Sequence, residues 1–171
     1  MKHIGVISDT HGMMPEAGFV KFLKSCDEIW HAGDIGTIKT AGQLASFKQL
    51  RAVSGNIDGN DIRQHYPKFQ VFDCEKVNVW MTHIGGSPGK YERDIINMLE
   101  GGSPDLFICG HSHILKVMYD RKHDMMYMNP GAAGQSGTHQ IRTVLRFIIE
   151  ETNIRDLEVI ELGGRQKTKN Y

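Results

Sequence analysis

Five short apolar runs in this sequence each end in side chains able to bind or move charge. Asp9 and His11 follow "IGVIS", Asp34 follows "IWHAG", Asn56 follows "RAVSG", and His83 follows "VWMT". The last run, "LFICG", leads into His111 and His113, with only Ser112 between them. The set contains carboxylates, imidazoles and one amide oxygen, with no thiolate and no candidate serine nucleophile. Mixed nitrogen and oxygen donors suit Mn²⁺, Fe²⁺, Zn²⁺ or Ni²⁺ better than Ca²⁺ or Mg²⁺ alone. These donors are too many for one ion with open positions. They suffice for two ions sharing a carboxylate, and two-metal hydrolytic sites hold their ions about 3.5–4 Å apart. Asp34 or Asn56 alone reads as a turn residue. Together the positions require one explanation for five strand ends, and open α/β sheets build their sites at the carboxyl ends of strands.

The elements that must deliver these residues are legible in outline. Runs at 3–8, 28–33, 51–55, 77–83 and 106–110 are short and rich in β-branched residues, as strands are. Two later runs, 142–150 and 156–162, alternate like strands. Helical spacing appears over 16–25, 37–50 and 91–99, and Gly101-Gly102 is a plausible stop for the last. The first half alternates strand and helix, while the second half is mostly strands. That predicts an α/β protein with a mixed sheet, or two sheets packed face to face with helices outside.

Length and composition set the remaining bounds. A chain of 171 residues suits one domain spanning 1–171, with 163–171, which lack apolar periodicity, as a solvated tail. Hydrophobic residues make up 40% and charged residues 23%, ordinary for a globular protein. The formal net charge is zero, so bulk electrostatics recruit neither nucleic acid nor an anionic membrane. No apolar stretch approaches the roughly 20 residues of a membrane span. The N-terminal apolar run, stopped by Asp9, is too short for a secretory signal. Cys26, Cys74 and Cys109 are widely spaced, which reads as three reduced thiols in a cytoplasmic protein, Cys109 being a small buried residue.

"DTH" at 9–11, "GD" at 33–34, "GN" at 55–56, "TH" at 82–83 and "GHSH" at 110–113 resemble the ordered motifs of calcineurin-like metallophosphoesterases. "NPGA" at 129–132 is similar to a loop of the small subfamily that includes bacterial YfcE phosphodiesterases and the retromer subunit Vps29. The resemblance covers residues 3 to about 131. It implies two packed mixed β-sheets flanked by helices, an αββα four-layer sandwich. It also implies a ligand set: Asp9, His11 and His113 for one ion, Asn56, His83 and His111 for the other, and Asp34 bridging them. Manganese is the first expectation for the two divalent ions, with iron, zinc or nickel as alternatives. Asn56, Asp58 and His83 form the candidate catalytic set.

The implied activity is hydrolysis of small phosphodiesters through a metal-bridging hydroxide at a dinuclear centre. Two divalent ions, two carboxylates and a hydroxide leave the centre near +1, roughly matching a phosphodiester monoanion. No Arg or Lys within the motifs offsets the second charge of a monoester. One departure from the family pattern stands out. Many members have a His after the "GN" asparagine, thought to protonate the leaving group. Here the stretch is "GNID", with Ile57 in that place and Asp58 behind it. General acid catalysis is typically worth 10²–10⁴-fold, so slow turnover is expected, with His65 the first substitute donor to test. Two alternatives stay open: a Vps29-like binding scaffold with a vestigial site, and a phosphomonoesterase or cyclic-nucleotide hydrolase. A homo-oligomer also stays open.

Several residues fall outside the motifs. His31 precedes "AGD" and is a candidate to support the ligands by hydrogen bonding. His3, His65, His123 and His139 read as surface or packing residues. "GGSPG" at 85–89 reads as a plain loop, and Arg142 and Arg146 as solvated.

Overall fold

The structure is a computed structural model and describes residues 1–13 and 16–165. Twelve strands and four helices follow one another along the described chain. The first sheet joins β1 (Lys2–Ile7), β2 (Glu28–His31), β3 (Gln49–Ala52), β11 (Ile141–Glu150) and β12 (Asn153–Gly164) in the order β12-β11-β1-β2-β3. β1, β2 and β3 run parallel, while β11 and β12 are antiparallel additions. The second sheet joins β4 (Phe69–Cys74), β5 (Val77–Thr82), β8 (Leu106–Ile108), β9 (Leu115–Asp120) and β10 (Met125–Pro130) in the order β4-β5-β8-β10-β9. Its central β5-β8-β10 pairs are parallel and its outer pairs antiparallel. A hairpin of β6 (Gly86–Ser87) and β7 (Lys90–Tyr91) lies apart.

Three hydrophobic layers hold this stack together. Ile4, Val6 and Trp30 of the first sheet pack with Val79, Met81 and Ile108 of the second. β1 alternates, so Ile7 joins the other layer, with Phe19, Phe22 and Leu23 of α1 (Ala17–Lys24) and Leu44 of α2 (Ile38–Phe47). On the far face of the second sheet, Phe107 and Tyr127 pack with Ile95 and Leu99 of α4 (Arg93–Leu99). The period-two alternation of strands and the helical stripe of α1 therefore meet in one arrangement. Burying each such large apolar side chain is worth roughly 1.5–3 kcal/mol. The result is the expected pair of mixed sheets with helices outside.

Several details differ from expectation. β4, β9, β10 and the short α3 (Asn60–Arg63) were not read as elements in the sequence. α2 stops at Phe47 because residues 49–52 are needed as β3. β12 continues through Gly164, two residues into the stretch expected as a tail, and residues 166–171 lie outside the described residues. Arg142 is buried rather than solvated: it pairs with Glu16 and donates to the Leu162 carbonyl at 2.6 Å. Arg146 pairs with Glu158 at 3.0 Å. "GGSPG" contributes to the β6–β7 hairpin rather than a plain loop. Among the described residues, no helix is long and apolar enough to cross a membrane.

Candidate metal centre

Strands β1, β2 and β3 point the same way, as do β5 and β8, so their carboxyl ends deliver Asp9, Asp34, Asn56, His83 and His111 to one rim. Backbone pairing continues past the strands and fixes the loops. Asp9 N donates to Gly33 O at 3.0 Å and His11 N to Asp34 O at 3.0 Å. Gly110 N donates to His83 O at 3.0 Å. The two sheets are then tied across the rim: His111 N donates to Asp9 Oδ2 at 3.2 Å, and His83 Nδ1 donates to Ala32 O at 2.7 Å.

Two groups of donor atoms result. Asp9, His11 and His113 form one, and Asp34, His83 and His111 the other; within each group the atoms lie within 4.8 Å of one another. Asp34 stands between them. Its Oδ2 is 3.2 Å from His83 Nε2 and 4.0 Å from His11 Nε2, so one carboxylate oxygen faces an imidazole of each group.

The backbone is strained where these side chains leave it. Asp9, His11, Asp34, His111 and His113 all have φ between 49° and 67°. That left-handed conformation costs roughly 1–2 kcal/mol for an ordinary L-residue. Five such residues clustered on one rim are the mark of a functional constraint.

The donor set fits divalent cations. Asp9 Oδ1 and His83 Nε2 are buried with no hydrogen-bond partner, although burial of an unsatisfied polar atom is costly. His83 Nδ1 is committed to a carbonyl, so Nε2 presents a lone pair. His113 reaches the same state by a longer route. His139 Nε2 donates to Gly134 O at 3.0 Å, which makes His139 Nδ1 an acceptor for His113 Nδ1 at 3.2 Å. His113 Nε2 then also presents a lone pair, 3.4 Å from His11 Nε2 and 3.0 Å from Asp9 Oδ1. Acceptors converging on one another in this way call for a cation. Carbonyl-anchored imidazoles are the usual support for metal-binding histidines.

The electrostatics agree. Burial pushes the Asp9 carboxyl up, but His113, His83 and Ser8 more than offset it and hold it below the usual range. Asp34 behaves alike: burial opposes ionisation, while His83, the Ile57 N–H and His11 outweigh it. Burial also opposes charge on His83, yet Asp34 and Asp9 raise its pKa. The rim thus holds two ionised carboxylates with a strong preference for positive charge between them.

The other candidates are placed as follows. Asn56 is exposed and lines a cleft together with His83. Gly55 before it is needed for space, since a Cβ there would sit 2.0 Å from Asp34 Oδ1. Asp58, expected in the catalytic set, is buried with its carboxylate turned into the backbone. It accepts from Ile35 N at 3.2 Å, Gly36 N at 2.7 Å and Gly55 N at 2.8 Å. Both its oxygens are committed to joining the Asp34 and Asn56 loops. His31 is fully buried, accepting from Gly33 N at 3.1 Å and bonded to Thr10 Oγ1 at 2.9 Å. It braces the turn that carries Asp34. His65 is exposed and bonds to Asp61 O at 2.8 Å, away from the cleft lining. His139, read as a surface or packing residue, is the residue that sequence reasoning missed: it orients His113.

The chain belongs to the calcineurin-like phosphoesterase superfamily, whose family model matches residues 1–152. A probable metallophosphoesterase of Methanothermobacter thermautotrophicus is 32% identical over 139 residues, covering 75% of this chain and 76% of that protein. Among solved structures, Vps29 of Chaetomium thermophilum superposes with a TM-score of 0.73 at 17% identity, covering 96% of this chain and all (100%) of that one. An archaeal phosphodiesterase superposes with a TM-score of 0.70 at 20% identity, covering 94% and 99%. Both structural likenesses establish the fold. The family uses divalent metals, and the two donor groups are the candidates for holding them here.

Proposed function

We propose that this chain is a metal-dependent phosphodiesterase acting on small substrates in the cytoplasm, with two divalent ions, manganese by first choice. The observation that carries this reading is Asp34 facing an imidazole of each donor group while Asp9 Oδ1 and His83 Nε2 lie buried without a hydrogen-bond partner. Ions held there would supply Lewis acidity, lowering the pKa of water toward about 7 and offsetting charge on phosphoryl oxygens.

The residues of the chain divide the remaining work. Asp9, His11 and His113 would hold one ion and His83 and His111 with Asn56 the other, with Asp34 facing both groups. Only two carboxylates belong to the donor groups, so the loaded rim stays positive and attracts an anion. Asn56 lies exposed at the cleft, where its side chain meets the substrate phosphoryl group. Ile57, beside it, brings no proton to the leaving group.

A binding-scaffold reading has one observation in its favour. Ile114, Leu115, Met118 and Tyr119 are exposed along and beside β9, one of the two edge strands of the second sheet. The two readings part on turnover. Metal-depleted protein, reloaded in turn with Mn²⁺, Fe²⁺, Zn²⁺ and Ni²⁺, is tested on bis(p-nitrophenyl) phosphate and p-nitrophenyl phosphate. The phosphodiesterase reading expects metal-restored hydrolysis that favours the diester. Absence of turnover with every metal supports the scaffold.

A further inference from the structure

The centre opens into two clefts that meet at Ile84. One, of about 280 Å³, takes in His111 with Lys90, Lys116 and Glu92, so its charge is mixed. The other, of about 470 Å³, is lined by Asn56 and His83 from the centre together with Ser54, Arg63, Lys68 and Ile84. No carboxylate lines this second cleft, and two cations do.

Both cationic residues are tied to the loops of the centre, Arg63 by its side chain and Lys68 by its backbone. Arg63 ends α3 and donates one guanidinium N–H to Asn56 O at 3.1 Å. Lys68 is held from two sides. Ser54 N donates to Pro67 O at 2.9 Å, and Thr82 Oγ1 donates to Lys68 O at 3.1 Å. Lys68 is thereby seated between the loop bearing Asn56 and the strand end bearing His83. Among the described residues, neither Arg63 nor Lys68 forms an ion pair; Glu92 and Asp94 line the adjoining cleft on the other side of Lys68, and Glu92 also the first cleft, but neither lines this one. Two unpaired cations beside an anion-binding centre form an electrostatic feature in search of a second anion.

We propose that this cleft is a subsite for a second phosphate, carried on the arm of the diester that lies on the Asn56 side. The proposal deepens the phosphodiesterase reading and rests on it. The preferred substrates are then diesters bearing a remote phosphate rather than simple ones. A phosphate matches the pair better than a carboxylate. Its dianion answers two positive charges, and an arginine fork engages phosphate oxygens bidentately.

Equilibrium binding tests this without turnover. Thymidine 5′-phosphate and thymidine 3′,5′-bisphosphate are titrated calorimetrically into the manganese-loaded protein. The bisphosphate is expected to bind about tenfold more tightly, with the advantage shrinking as ionic strength rises. Arg63→Met and Lys68→Met should each reduce the advantage, and the double variant should erase it. Equal binding of the two ligands, or an advantage that survives in the double variant, overturns the subsite. Kinetics separate this result from the underlying reading. Thymidine 3′-phosphate 5′-(p-nitrophenyl phosphate) and thymidine 5′-(p-nitrophenyl phosphate) share one leaving group and differ only in the remote phosphate. Hydrolysis of both at equal kcat/KM removes the subsite and leaves the phosphodiesterase intact. Hydrolysis of neither, with tighter bisphosphate binding that depends on Arg63 and Lys68, removes the activity and leaves the subsite.

Discussion

Asp34 Oδ2 sits 3.2 Å from His83 Nε2, while Asp34 Oδ1 accepts the Ile57 N–H at 3.1 Å. One oxygen is thus anchored by the backbone and the other is left facing imidazoles of both donor groups. Asp34→Ala is expected to loosen both ions and cut phosphodiester turnover by about 10²-fold or more; indirect support alone is worth 10–100-fold in metal affinity. His31→Ala should keep measurable turnover, because the hydrogen bonds of the His31 ring go to Thr10 and the Gly33 backbone rather than to a metal donor. Equal losses in two folded variants would show that the ligand assignment is wrong.

Asp58 makes a different prediction. Its carboxylate satisfies three backbone N–H groups from two loops. Removing it leaves buried donors unpaired, each worth about 1–3 kcal/mol at most. Asp58→Ala should therefore lower stability by roughly 2–4 kcal/mol in urea unfolding of the metal-free protein. Unchanged stability with lost turnover would return Asp58 to the catalytic set.

His31 sets a pH dependence. Burial, only partly offset by Asp58 and Asp9, pushes its pKa down to about 4 from 6.5. In the unfolded chain it takes up a proton near its ordinary value. Between those two values the unfolded state binds more protons, so stability rises with pH there. The contribution is complete above about pH 6.5 and is lost as pH falls toward 4, amounting to roughly 3 kcal/mol. NMR of the His31 ring, assigned with a His31→Gln variant, should show a neutral imidazole at pH 5.5. A midpoint near 6.5 contradicts this.

Ile57 is half-exposed, with its N–H on Asp34. Ile57, which follows Asn56, has no imidazole with which to protonate a departing oxygen. Rates should depend steeply on leaving-group acidity, with aryl diesters fast and alkyl diesters slow. Ile57→His should help poor leaving groups most, by less than the typical 10²–10⁴-fold of a well-placed acid. The check is the slope of log rate against leaving-group pKa in both proteins. An equally shallow slope in the unmodified protein would reveal another donor.

The donor residues were legible because each follows an apolar strand at a turn, a local pattern that a single sequence displays. Asp34 and Asn56 in particular sit directly behind glycines. Of the supporting contacts, His31 was legible from its place before "AGD", and that of His139 was not. His139 lies 26 residues from His113 in a stretch with no periodicity, and only the tertiary fold brings their rings together. β10 was missed because "MMYMNP" is rich in methionine rather than β-branched residues. β9, an edge strand, alternates too weakly to show a buried face. Arg142 and Arg146 share one face of β11, yet Glu16 and Leu162 cover only Arg142, which no pattern along β11 records.

The central claim is that two ions share Asp34. Metal-depleted protein titrated with Mn²⁺ and followed by electron paramagnetic resonance tests it most directly. The account predicts two ions bound per chain, with an exchange-coupled spectrum that is lost in Asp34→Ala. A single ion per chain, or two ions giving only the six-line signal of isolated Mn²⁺, contradicts it.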